Sequence, residues 1–202
     1  KGEPGIVLGE AKDDVDITGY TSKEATEKKM IYGAFEKGDR WFNTGDMLRN
    51  IGFGHHEFMD RTGDTFRWKG ENVSTMEVEK VANTFGQVEQ STAYGVKFGE
   101  GDGRIGMLSL LPNVPLESFD VEKFGSLLVD SLPAYAIPRF LRMKTEFEST
   151  PTFKIKKNPL RDEGFDPGII SDPLFVILPG DDKFQPLTDE LFAEIGDGKY
   201  RF

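Results

Sequence analysis

Apolar positions change their spacing near residue 60. Before it, short apolar stretches such as Gly5-Ile6-Val7-Leu8-Gly9 and Phe53 to Phe58 are broken by glycine and charge, a pattern of strands and turns. One short helix is predicted within this part, over Thr21 to Phe35, because Thr21-Ser22-Lys23-Glu24 has the spacing of a capping box. Beyond residue 65 the period lengthens. Ser74-Thr75-Met76-Glu77 forms a second capping box, Val73 can staple onto Val78, and Val78, Val81, Ala82 and Phe85 recur at helical spacing. Ser91 to Phe98 and Arg104 to Leu111 read as paired strands joined by the turn Gly99-Glu100-Gly101-Asp102-Gly103. A second amphipathic helix is predicted over about Leu116 to Leu132, closed by Pro133, and a strand over Phe140 to Phe147.

These elements predict an α+β protein in two parts. A small β-rich lead segment, residues 1–62, is followed by a compact α+β domain, 63–202, with a small sheet and flanking helices. The boundary falls near 61–64. Prolines 167, 173, 179 and 186 make 164–202 a surface-wrapping tail, ending in a short helix capped at Thr188.

Composition narrows the partners. With 37% hydrophobic and 30% charged residues the chain is globular rather than disordered. A net charge of -10 and a pI near 4.8 leave no broad basic surface, so nucleic acid is not an expected partner. The absence of cysteine removes disulfides and thiolate catalysis. No stretch reaches the roughly 18 to 20 apolar residues that span a bilayer. The opening Lys1-Gly2-Glu3-Pro4-Gly5 reads as a cut or truncation, and no targeting signal is visible.

Three separated elements carry candidate chemistry: Trp41-Phe42-Asn43-Thr44-Gly45-Asp46; Asp60-Arg61-Thr62-Gly63-Asp64 leading to Lys69-Gly70-Glu71-Asn72-Val73; and Thr150-Pro151-Thr152-Phe153-Lys154-Ile155. In the first, glycine lets the backbone approach a ligand while an ionised Asp46 offers several acceptor sites, enough for the two hydroxyls of a ribose. Alone, Asp46 reads first as a turn cap; in company with the other two elements it reads as the ribose ligand. Arg61 is a fixed fork of donors suited to ribose or phosphate oxygens, or to a surface ion pair with a neighbouring Asp. Lys154 stands beside Lys156 and Lys157 and reads, by itself, as part of a solvated basic cluster. His55-His56 is no metal pair, since neighbours on a strand point to opposite faces. The Gly99–Gly103 run lacks the lysine and hydroxyl of a phosphate loop.

In order and spacing the three elements resemble the adenylate-forming superfamily. Over essentially the whole chain, including Glu163-Gly164-Phe165-Asp166-Pro167 and Pro186-Leu187-Thr188, the wording resembles the fatty-acid transport protein and very-long-chain acyl-CoA synthetase family. The resemblance implies the C-terminal part of a fatty acid–CoA ligase using ATP, Mg2+ and CoA. It assigns Asp46 and Arg61 to the nucleotide, Lys154 to acyl-adenylate formation, Lys69, Gly70, Glu71 and Asn72 to a loop on the CoA side, and a hinge to Gly63 or Asp64. Many relatives carry an acid or lysine where this chain has Gly63, with Asp64 one place later, so both positions stand as hinge candidates. The implied partners are ATP, a fatty acid, CoA and an N-terminal domain of the same protein. Peripheral membrane association, with a cytoplasmic or membrane-surface location, follows only from the family's handling of lipids. The phosphate loop, adenine pocket and acyl tunnel of such enzymes are absent here, so the chain alone is expected to be inactive. Two other readings stay open: a non-catalytic remnant or interaction module, and a CoA ligase for a carnitine-like or steroid carboxylate.

Overall fold

One long strand organises the first sixty residues of the computed structural model, which describes residues 2–11, 23–61, 65–99, 103–150 and 154–202. Strand β3 (Arg40–Gly52) pairs antiparallel with β1 (Pro4–Glu10), with β2 (Met30–Tyr32) and with β4 (His55–Arg61). The helix expected over Thr21 to Phe35 is reduced to α1 (Lys23–Glu27). Met30, Ile31 and Tyr32 instead pair with Phe42, Trp41 and Arg40, so strand pairing overrides a weak local helix preference. Thr21 and Ser22, which supplied the capping signal, lie outside the described residues.

The chain divides into two compact units, Lys1–Gly63 and Asp64–Phe202. Among the described residues of the first, only Ala11 and Gly45 are buried, while Phe53 is 99% exposed and Phe35 70%. A sheet that buries so little has no core of its own, because burial of apolar surface is the dominant favourable term in folding.

The second unit is built on a five-stranded sheet in the order β11-β10-β9-β8-β7. The expected hairpin is β7 (Val88–Lys97) with β8 (Arg104–Pro112). β9 (Phe140–Met143) runs parallel to β8, a pairing that requires a crossover connection, here made by α3 (Val121–Ser131). This helix starts later than its apolar pattern suggests: Asp120 accepts a hydrogen bond from Lys123 N at 2.9 Å and caps it, leaving Leu116–Ser118 as a short 3-10 turn.

Both faces of the sheet are covered. Ala93, Leu108, Leu110 and Leu141 pack with Val78 and Ala82 of α2 (Thr75–Ala82) and with Phe124 and Leu128 of α3. Tyr94, Val96, Ile105, Met107 and Phe140 form the opposite core with Leu160 of α4 (Lys157–Glu163) and Ile195 of α5 (Asp189–Gly196). Burial pushes the Tyr94 hydroxyl up to about 12, although it hydrogen-bonds Ser109 Oγ at 2.6 Å.

Residues 164–202 do more than wrap the surface. They add β10 (Leu174–Val176) and β11 (Gln185–Pro186) to the sheet and bury Ile170, Val176, Leu187 and Ile195. The prolines sit where a sheet tolerates them, Pro173 just before β10 and Pro186 on the edge strand. The Thr188 cap forms as expected, accepting from Leu191 N at 3.2 Å.

A small hairpin, β5 (Phe66–Trp68) with β6 (Glu71–Val73), packs on this sheet through Phe66, Trp68 and Val73. Gly95 and Gly106 face each other across β7 and β8, and Phe66 lies against both. A β-carbon at Gly95 would stand 2.5 Å from Phe66 Cβ and 2.8 Å from Arg104 Cβ. Because Cβ cannot rotate away from its backbone, Gly95→Ala is expected to destabilise the chain by about 1–3 kcal/mol through overpacking. Thermal denaturation checks this; an unchanged midpoint would contradict the seat.

Candidate functional site

Asp46 sits on a bulge. The pairing of β1 with β3 jumps from Ile6↔Met47 to Leu8↔Asn43, so Thr44, Gly45 and Asp46 lie opposite Val7 alone. Gly45 makes this possible with φ of 81°, a left-handed conformation that a side chain disfavours. Three short bonds close the turn: Thr44 Oγ1 donates to Val7 O at 2.9 Å, Gly45 N to Asn43 Oδ1 at 2.8 Å, and Asp46 N to Thr44 Oγ1 at 3.1 Å. A β-carbon at Gly45 would also meet Lys29 Nζ at 3.1 Å. The bulge thus takes Asp46 out of the ladder with β1 only, a local disruption of the kind found beside binding sites.

The entry to β3 is held by another carboxylate. Asp39 accepts from Ala34 N, Phe35 N and Glu36 N at 2.8 to 2.9 Å. Desolvation works to raise its pKa, but the neighbouring Trp41 indole and these backbone donors prevail and hold it down to about 2. The indole Nε1 itself is buried without a hydrogen-bond partner of good geometry among the described residues, so the backbone donors are the firmer cause.

Arg61 ends β4 directly opposite Asp46 in the register, so two of the sequence-identified positions are brought together on paired strands. The hinge candidates Gly63 and Asp64 lie outside the described residues. His55 and His56 are successive residues of β4, and among the described residues no three His, Cys, Asp or Glu side chains gather as metal ligands.

In the second unit, Lys69 and Gly70 form the two-residue turn between β5 and β6, with φ of 51° and 88°. Positive φ at both central positions is the geometry of a type I′ hairpin turn. For Lys69 this conformation is strained by about 1–2 kcal/mol, where asparagine or glycine would not be. Its ammonium lies 5.8 Å from the Trp68 ring centre. Glu71 and Asn72 are exposed, and Val73 is fully buried as the hairpin's foot. Ser74 then caps α2, its side chain accepting from Glu77 N at 3.4 Å.

The three neighbouring lysines, indistinguishable by composition, have different surroundings. Lys157 Nζ bonds Glu79 Oε1 at 2.9 Å and Thr75 Oγ1 at 3.2 Å, largely shielded from water. Lys156 Nζ forms an exposed pair with Glu148 at 3.3 Å. Lys154 is exposed, and its ammonium has no partner among the described residues. Its backbone is ordered by a narrow hairpin: Ser149 bridges Ile155, Thr150 N donates to Lys154 O at 2.8 Å, and Lys156 N donates to Glu148 O at 2.8 Å. These bonds hold the backbone beneath a long cation that is uncommitted among the described residues. Phe153 and the two residues before it lie outside the described residues. Beneath it Phe147, Ile155 and Leu160, rimmed by Lys144, Glu148 and Glu163, line a cavity of about 130 Å³.

Asp46 and Arg61 thus belong to the first unit, and Lys69–Asn72 and Lys154 to the second. The sequence does not single out Glu79 or Phe66, and it gives Lys157 only as a member of the basic cluster with Lys154 and Lys156. Gly95 and Gly106, each inside a strand, were the available signal for a close approach such as that of Phe66. No local pattern announces the Glu79–Lys157 pair, whose members are far apart in the chain.

No family model matches the chain. Among solved structures it is similar to the anthranilate CoA ligase AuaEII in complex with anthranoyl-AMP, with a TM-score of 0.63 and 22% identity over 81% of this chain and 30% of that one. It is also similar to the O-succinylbenzoate CoA synthetase MenE of Bacillus subtilis in complex with ATP and magnesium, with a TM-score of 0.60 and 21% identity over 80% and 30%. The chain shares its mixed α+β fold with these ligases. In sequence the chain is 42% identical over 196 residues to long-chain fatty acid transport protein 6 of Mus musculus, covering 96% of this chain and 32% of that protein. It is 40% identical over 198 residues to the medium/long-chain-fatty-acid–CoA ligase FadD6 of Mycobacterium tuberculosis, covering 98% and 33%. Over nearly its whole length the chain has homologues among long-chain fatty acid transport proteins and acyl-CoA ligases, and it spans about a third of the length of the relatives it matches.

Proposed function

We propose that this chain is the C-terminal part of an ATP-dependent, AMP-forming ligase for long-chain or very-long-chain fatty acids, linked to their uptake. The observation that carries this reading is the match of 98% of the chain to a protein named as a fatty-acid–CoA ligase. In the first half-reaction the acid's carboxylate oxygen attacks the α-phosphorus of magnesium-bound ATP and pyrophosphate leaves. In the second the CoA sulfur attacks the acyl carbon, AMP leaves and the thiol proton is released.

Each proposed role follows from local geometry. Asp46, released from pairing with β1 by the Gly45 bulge, accepts hydrogen bonds from the ribose hydroxyls, and Arg61, opposite it on β4, adds a cation for ribose or phosphate. Two anions meet in the first step, so a cation placed at the reacting oxygens is the main need, and Lys154 is the lysine of its cluster not already committed to a carboxylate. The turn Lys69-Gly70 with Glu71 and Asn72 serves the second step, its glycine allowing close passage of the pantetheine arm. Gly63 and Asp64 are the proposed hinge about which residues 63–202 present first one loop and then the other. The first unit completes its core against the N-terminal domain of the same protein, which fits its few buried residues and exposed aromatic side chains. Contact with membranes is peripheral in this reading; among the described residues no helix is long and apolar enough to cross one.

The longer protein, carrying the upstream domain, is expected to convert a long-chain fatty acid, ATP and CoA to acyl-CoA, AMP and pyrophosphate. This chain alone is expected to produce neither acyl-CoA nor AMP, since positioning and charge stabilisation would each lack half their groups. Acyl-CoA and AMP formation by the isolated chain, or their absence with the longer protein across acids of different length, would refute the reading.

A further inference from the structure

The Glu79–Lys157 pair joins the two loops to which opposite half-reactions are assigned. Glu79 Oε1 receives three donors besides any within its helix: Lys157 Nζ at 2.9 Å, Ala93 N at 2.8 Å and Thr92 Oγ1 at 3.2 Å. Lys157 Nζ also reaches Thr75 Oγ1 at 3.2 Å, and Thr75 is fully buried. Helices α2 and α4 and strand β7 therefore meet at one carboxylate, and the meeting is charge-assisted and shielded, which makes it stiffer than a surface pair.

The junction's place in the chain gives it consequence. Lys157 opens α4 and follows Lys154 by three residues, so it fixes the outgoing root of that hairpin. Thr75 opens α2 and follows Asn72 by three residues, so it fixes the foot of the β5–β6 hairpin. Besides this root, Ile155 and Phe147 seat the Lys154 hairpin on the core around Leu160, while its backbone bonds and the exposed Lys156–Glu148 pair hold its shape. Three residues of extended chain span at most about 10 Å. A shift at the Lys157 root therefore acts close to Lys154, with only Ile155 and Lys156 between them.

We infer that Lys157 is a positioning residue: through Glu79 it sets the Lys154 hairpin at a fixed place relative to the β5–β6 hairpin, so that one rotation of the unit exchanges the two loops with both in register. This rests on the roles proposed for Lys154 and for Lys69–Asn72. Lys157 touches no reacting atom and acts by placing Lys154.

In the longer protein, Lys157→Gln should lower kcat of acyl-adenylate formation by about tenfold to a hundredfold, the effect of misplacing a catalytic group by roughly 1 Å. KM for ATP and for the acid should stay within about twofold, because Lys157 is not at either. Lys157→Arg, which keeps the charge and the reach to Glu79, should recover most of the rate. Glu79→Gln keeps an acceptor for Ala93 N while removing the charge, and should reproduce the kcat loss even if Lys157→Gln folds poorly. A folded Lys157→Gln or Glu79→Gln with normal kcat would overturn the inference, as would loss confined to KM or to thermal stability. Lys154→Ala run alongside separates the two levels. Normal adenylation there sinks the role of Lys154 itself, whereas a slow Lys154→Ala beside a normal Lys157→Gln sinks only the positioning.

Discussion

Lys154→Ala, made in the longer protein, is expected to slow pyrophosphate exchange by about 10²–10³-fold, the loss typical when one preorganised group at a developing charge is removed. The expectation comes from the contrast among three lysines. Lys156 and Lys157 have carboxylates within 3.3 Å and 2.9 Å, so recruiting either to a substrate would mean breaking an existing pair. Lys154 has no such tie among the described residues, and its own backbone is held by the bond from Thr150 N beside the Ser149–Ile155 bridge, so bringing it to a ligand costs little reorganisation. Lys156→Ala in the same assay should change the rate by less than threefold, since exposed pairs of this kind contribute about 0–1 kcal/mol.

The largest loss of stability is expected from Asp172→Ala. Arg142, on the central part of the sheet, is 4% exposed, with Nε and Nη2 bonded to Asp172 Oδ2 at 2.7 and 2.6 Å and Nη1 bonded to Glu163. Lys144 Nζ joins the same Asp172 oxygen at 2.8 Å. Removing the shared carboxylate leaves a buried guanidinium half paired, which typically costs about 3–5 kcal/mol. Desolvation alone would raise the Asp172 pKa, but hydrogen bonds from Lys144 and Arg142 outweigh it and hold the carboxyl below its ordinary 3.8. A folded-state pKa below the unfolded one gives stability that is fully present above the unfolded value and is lost as pH falls through the folded one. Urea denaturation should therefore show the wild-type advantage over Asp172→Ala at pH 7 and its shrinkage below about pH 4. An equal gap at both pH values would contradict the ionic origin.

What could be read from the sequence was what neighbouring residues decide. Ser74 caps α2, Val78 and Ala82 turn inward, and the paired strands near 91–98 and 104–111 form, because each depends on residues within one turn or one hairpin. The Thr44-Gly45-Asp46 turn was legible for the same reason. Its character as a bulge was not, since that depends on Val7 in a strand 37 residues earlier. Lys154 could not be told from Lys156 and Lys157 by local pattern, because the distinguishing partners include Glu79, 78 residues away from Lys157. That residues 164–202 join the sheet is not legible locally, because prolines mark breaks without saying whether the pieces between them pair.

The most direct test separates the two half-reactions in one variant. Given preformed long-chain acyl-adenylate and CoA, the longer protein carrying Lys154→Ala should form acyl-CoA within about threefold of the wild-type rate, since the lysine is proposed to act only before that intermediate exists. A loss as large as that in pyrophosphate exchange would contradict the division of labour between the Lys154 hairpin and the Lys69–Asn72 turn.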